Sequence, residues 1–203
     1  MGDDENDGNK VIFLGEQNVG KTNLIKVATG QQFEADSIST WAPTYVTKDY
    51  VYNNKKYVFN LWDTIGQEAY RSLSSIFFKN SDIIIFVYDI TNKKSFKELD
   101  YWYDSAKQTL GEDFTAGVVG NKSDLITQEQ VTEEEGQQYA QKIGAKFKLT
   151  SAKTEGVNFA HFMEEIFEEY IKKNKGSGSA RHRGLTIEPQ TFDNKRSSKR
   201  KCC

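Results

Sequence analysis

An octet between an apolar strand and a helix restricts this chain to few folds: Gly15-Glu16-Gln17-Asn18-Val19-Gly20-Lys21-Thr22. Lys10 to Leu14 reads as a short buried strand, and Lys21 to Thr29 carries helical periodicity. The octet therefore matches G-x-x-x-x-G-K-[ST] in the context that pattern needs, after a strand and opening a helix. Its logic is anion capture. Gly15 and Gly20 let the backbone wrap close to phosphates, while the amides around Gln17, Asn18 and Val19 and the helix N-terminus face negative charge. Lys21 adds a point charge and the Thr22 hydroxyl can ligate Mg²⁺. The bland alternative is a glycine turn beside an exposed lysine, and the flanking strand and helix argue against it.

The rest of the chain continues the alternation. Tyr45 to Tyr52 and Lys56 to Trp62 are rich in β-branched and aromatic residues, and Asn53-Asn54 between them suits the left-handed conformations of a tight antiparallel hairpin. Then come a strand at Ile83 to Tyr88, a helix from about Phe96, a strand at Gly117 to Val119, a helix from about Glu133, a strand at Lys146 to Leu149 and a helix from Val157 to Lys173. Ser95 with Glu98 and Thr132 with Glu135 have capping-box spacing. The pattern predicts an α/β domain: a six-stranded, mostly parallel sheet with one antiparallel strand and five helices covering both faces.

Composition sets the outer limits. The 203 residues, 37% of them apolar, suit one domain with tails. Residues 1–9 read as a disordered acidic N-terminus, 10–174 as the nucleotide-binding domain, and 175–203 as a flexible tail too polar to offset its ordering entropy. The apolar run around Ile83 to Tyr88 is far shorter than the ~20 residues of a membrane-spanning helix. Met1 to Lys10 lacks the layout of a secretory signal, so a cytoplasmic protein is expected. The net charge of −2 hides a basic end, Lys195, Arg196, Lys199, Arg200 and Lys201, followed by the only two cysteines, Cys202 and Cys203. No basic stripe or base-stacking motif in the domain suggests nucleic acid.

A phosphate loop leaves the base open, and Asn121-Lys122-Ser123-Asp124 after the fourth parallel strand addresses it. An ionised Asp124 only accepts hydrogen bonds, so it suits the N1-H and N2-H₂ donors of guanine and faces adenine with a lone-pair clash. Asp63-Thr64-Ile65-Gly66-Gln67 follows another strand. Asp63 can hold a Mg²⁺ water, the Gly66 amide can reach a γ-phosphate, and Gln67 can orient an attacking water.

With these motifs in order, the chain resembles the Ras-like small GTPases, specifically the Rab branch, over about Lys10 to Lys173. Leu61-Trp62-Asp63-Thr64, Gly66-Gln67-Glu68, Tyr70-Arg71-Ser72-Leu73, Val87-Tyr88-Asp89-Ile90-Thr91 and Thr150-Ser151-Ala152-Lys153 carry the resemblance. It implies the Ras-like fold and a guanine site completed by Phe33, Ser151, Ala152 and Lys153 beside Asn121, Lys122 and Asp124. It also implies metal ligation by Thr22, Thr40 and Asp63, with Thr44 the competitor of Thr40 for the switch I position. Slow hydrolysis of GTP to GDP would use Gln67, Lys21 and Gly66. The GTP-loaded form would bind effectors in membrane trafficking, with an exchange factor and a GTPase-activating protein as further partners. The protein would be a monomer, reversibly anchored to the cytosolic face of an internal membrane by prenyl groups on Cys202 and Cys203.

Departures from the family pattern mark this chain. Thr40-Trp41-Ala42-Pro43-Thr44-Tyr45 lacks the usual glycine of switch I and adds a proline, Ile65 replaces an alanine, and Gln17 places a polar group beside the γ-phosphate. They motivate the alternative of a nucleotide-dependent binding module with little or no hydrolysis.

Overall fold

The computed structural model describes residues 8–35, 40, 42–64, 77–112 and 114–174, with the backbone of 184–186. The sheet contains β1 (Asn9–Leu14), β2 (Thr44–Tyr52), β3 (Lys55–Asp63), β4 (Ile83–Asp89), β5 (Thr115–Asn121) and β6 (Lys146–Leu149). Its order is β2-β3-β1-β4-β5-β6, with β2 antiparallel to β3 and the other neighbours parallel. Among the described residues there are five α-helices: α1 (Lys21–Ala28), α2 (Lys93–Lys97), α3 (Leu99–Leu110), α4 (Glu133–Lys142) and α5 (Gly156–Asn174). A 3₁₀ helix, Ser123–Gln128, follows β5.

Strand alternation builds two cores. Along β1, Val11 and Phe13 point into a cluster with Leu24 and Ile25 of α1 and Phe159, Met163 and Ile166 of α5. Ile12 and Leu14 point the other way, against Leu99, Trp102, Ala106 and Ala140 of α3 and α4. β1, β4 and β5 are buried nearly throughout, as a sheet covered on both faces requires. The β2–β3 turn follows from its asparagines: Asn53 and Asn54 have φ of 50° and 59°, which asparagine tolerates better than most side chains.

Three expectations change. First, the helix after β4 starts at Lys93, not near Phe96, and Ser95 with Glu98 forms no capping box: the Asn92 side chain accepts from the amides of Lys94 and Ser95. The Ser95 hydroxyl instead turns inward, donating to the Asn92 carbonyl (2.7 Å) and accepting from the Asp89 amide (3.0 Å). The box at Thr132 and Glu135 forms as expected. Second, β1 begins at Asn9, within the segment expected to be disordered, because the Asn9 amide bonds the Val58 carbonyl (2.9 Å) and its Oδ1 accepts from the Tyr170 hydroxyl (3.2 Å). Third, the tail contributes a short strand, β7 (Gly184–Thr186), antiparallel to Lys55–Tyr57 of β3 and off the six-strand path. Pairing between β1 and β3 starts only at Phe59, so this stretch of edge backbone is open to another strand.

Candidate functional site

The chemistry-bearing residues converge at the C-terminal edge of the parallel strands, around a cavity of about 390 Å³. Gln17, Asn18, Gly20, Lys21, Thr22, Phe33, Thr40, Asn121, Lys122, Asp124, Ser151, Ala152 and Lys153 line it. Gly66, Gln67 and Ile65 lie outside the described residues, as do Cys202 and Cys203.

The loop between β1 and α1 needs its glycines. Gly15 has φ 149° and Gly20 φ 97°; a Cβ on the first would collide with the Val87 carbonyl and on the second with the Asn121 amide. The N-terminus of α1 has no side-chain cap, which leaves its first amides open to an anion. Lys21 is buried, and its ammonium donates to the Gly15 and Glu16 carbonyls, each at 2.9 Å. Burial pulls its pKa down to about 8, against the opposing pull of Asp63 and Glu16.

Thr22 and Thr40 meet on one oxygen. Their hydroxyls donate to Asp63 Oδ2 at 2.7 and 2.9 Å. Asp63 Oδ1 is buried with no hydrogen-bond partner among the described residues. Two hydroxyls and a carboxylate with an unsatisfied oxygen form an oxygen-only donor set, which fits a hard cation such as Mg²⁺ that takes few protein ligands and completes its shell with water and phosphate. Thr44, the competitor of Thr40, sits exposed at the start of β2 and does not line the cavity. Thr64, next to Asp63, anchors the strand end by donating to the Phe13 carbonyl at 2.5 Å.

The opposite end of the cavity is knitted together. Asn121, at the tip of β5, donates to the Val19 carbonyl of the phosphate loop (2.8 Å) and accepts from the Ala152 amide (3.1 Å), tying three loops into one frame. The Ser151 hydroxyl donates to Asp124 Oδ1 at 2.5 Å and accepts from the amides of Lys153 and Thr154. Phe33 packs partly buried against the α1–α5 core while facing the cavity.

Sequence reasoning left two contributors without a role. Asp89, at the end of β4, pairs with Lys122 at 2.6 Å and is itself held by the Thr91 amide and hydroxyl. Asn23 on α1 bonds both backbone groups of Glu34. For Asp89 a signal existed, since two neighbouring parallel strands ending in Asp89 and Asn121 put both residues on the same rim.

The family comparisons agree with this geometry. The model of the Ras family matches residues 10–174. The Ras-related protein Rab-21 of Canis lupus familiaris is 34% identical over 206 residues, covering 96% of this chain and 91% of that protein. The Bos taurus Rab-21 is 35% identical over 193 residues, covering 89% and 87%, and the Homo sapiens Rab-21 is 34% identical over 193 residues, covering 89% and 86%. With its phosphate loop, base loop and sheet order, the chain belongs to the Ras family of small GTPases, is Rab-like within it, and is thereby a guanine-nucleotide-binding protein.

Proposed function

We propose that this protein is a slow GTPase that works as a switch in membrane trafficking, binding effectors while GTP is present. The observation that carries the reading is the Asn121 side chain, which joins the phosphate loop to the loop carrying Ala152 and so makes one site of two ends. Guanine is read by Asp124, whose carboxylate is aimed by Ser151, with Asn121, Lys122, Ala152 and Lys153 around the base and Phe33 against its plane. The triphosphate lies along Gly15 to Thr22, where Lys21 exchanges its loop carbonyls for phosphate oxygens whose charge favours its ammonium form.

Thr22, Thr40 and Asp63 would hold Mg²⁺, which neutralises charge on the phosphate oxygens when bound. Between the two switch I candidates, the Thr40 contact with Thr22 and Asp63 favours Thr40 over Thr44. In hydrolysis, a water oriented by Gln67 attacks the γ-phosphorus and the bond to the β–γ bridging oxygen breaks, leaving GDP and phosphate. The Gly66 amide and Lys21 stabilise charge on the transferred group. Loss of the γ-phosphate frees the segment around Thr40.

Tyr45, 47% exposed, stacks on Trp62 at 4.7 Å beside that segment and offers an aromatic surface to a partner. Prenyl groups on Cys202 and Cys203 with the nearby basic residues would give stable attachment, since two chains hold where one is marginal. Among the described residues no helix is long and apolar enough to cross a membrane.

Single-turnover hydrolysis of bound GTP, compared between the wild type and Ile65→Ala, tests the enzymatic part. Wild-type turnover as fast as the variant's is expected. Turnover absent from the wild type and restored by the alanine would instead establish the binding module that Ile65 and the atypical Thr40–Tyr45 stretch favour.

A further inference from the structure

After α1 the chain turns through Gly30, with φ 81°, and runs back beside the helix. One side chain pins its return. Asn23, only 7% exposed, donates from Nδ2 to the Glu34 carbonyl at 3.0 Å, and its Oδ1 accepts from the Glu34 amide at 2.9 Å. A single planar amide thus satisfies both backbone groups of one residue, as a paired strand would. Lys26 also reaches the Glu34 carboxylate at 2.5 Å, but that carboxylate is largely exposed and the ion pair adds little.

Phe33 immediately precedes the clamped residue and lines the cavity. Further along, Thr40 is held by Thr22 and Asp63. The connection from α1 to β2 is therefore anchored at two points of different kind. The anchor at Thr40 is built from candidate metal ligands, whereas the one at Glu34 is an α1 side chain on backbone and involves none of them.

We infer that Asn23 is a positioning residue for the base: its clamp on Glu34 holds Phe33 at the cavity and marks where the switching segment begins, so that this end stays anchored when Thr40 is released. The inference rests on the reading of the cavity as a guanine-nucleotide site. It extends that reading with a residue that would slow nucleotide release equally in both nucleotide states.

The test is the rate of release of a fluorescent GDP and of a fluorescent non-hydrolysable GTP analogue from the full chain. Asn23→Ala should release both about tenfold faster, the effect of losing hydrogen bonds that together contribute ~1.4 kcal/mol. Asn23→Asp, which keeps the side chain's shape and volume but loses the Nδ2 donor, should also release both faster while melting cooperatively. Phe33→Ala should release faster too, and adding Asn23→Ala to it should change little, because the clamp acts through Phe33. Unchanged release in both Asn23 variants, or fully additive effects in the double variant, would overturn the clamp's role while leaving the nucleotide site intact. A wild type that binds no guanine nucleotide would overturn the site and the clamp together.

Discussion

The two ends of the cavity satisfy their polar groups in different ways. At the base end, Asn121, Ser151, Asp124 and Lys122 each have a partner from the protein's own frame: Asn121 bridges Val19 and Ala152, Ser151 aims Asp124, and Asp89 holds Lys122. At the phosphate end the partners are substitutes. Lys21 bonds carbonyls of its own loop, while Thr22 and Thr40 crowd one oxygen of Asp63, and the other has no hydrogen-bond partner among the described residues. A preorganised end contributes affinity and base choice without reordering on binding. On the proposed reading the groups of this end exchange partners when nucleotide binds, so switching would belong there.

The largest expected effect breaks the base end at Asp124, its proposed reader. Asp124→Asn exchanges an acceptor-only carboxylate for an amide and leaves a guanine donor unpaired, so GTP affinity should fall about 10⁴-fold, and xanthine nucleotide should become a ligand. Competition binding with the two nucleotides measures it; unchanged GTP affinity would remove Asp124 from the site. A smaller effect isolates the phosphate end. Chelating divalent ions with EDTA should speed GDP release about a hundredfold in the wild type, equivalent to ~3 kcal/mol of lost charge stabilisation, and far less in Thr22→Ala. Equal acceleration in both proteins would mean that Thr22 does not hold the metal.

The same contrast explains what the sequence disclosed. Features carried by one local stretch were legible: the glycine-bounded octet, the Asn53-Asn54 hairpin, the Thr132–Glu135 cap, and strands whose apolar runs match their burial. Asn92 escaped as the cap of α2 because Ser95 and Glu98 have the right spacing, and only the strand end beside them shows that the Ser95 hydroxyl is already committed to Asp89 and Asn92. Asn23 and Asp89 act on residues brought to them by a loop return and by strand register, which no local pattern encodes. β7 was hidden for a related reason. Its pairing depends on where β1 stops covering β3, not on the tail's own composition.

The smallest effect sharpens the comparison by asking whether the base end depends on an ion pair beneath it. The Asp89 carboxylate is almost fully buried and Lys122 about two-thirds so, and Oδ1 of Asp89 is occupied by Thr91, which leaves Oδ2 for the ammonium at 2.6 Å. Lys122 also has φ 71°, an unusual conformation for a residue with a long side chain, so its placement needs outside support. Asp89→Asn keeps one oxygen for Thr91 but puts an NH₂ donor opposite the Lys122 ammonium, so the charge-assisted bond is lost, at a cost of ~1.5 kcal/mol. Nucleotide release should then quicken about tenfold. The rise should have the same ratio with Mg²⁺ and with EDTA, because the pair lies at the end that keeps its partners. An effect seen only with Mg²⁺ would show instead that the two ends are coupled through Asp89, and that the base end is not the independent, preformed half that its hydrogen bonds describe.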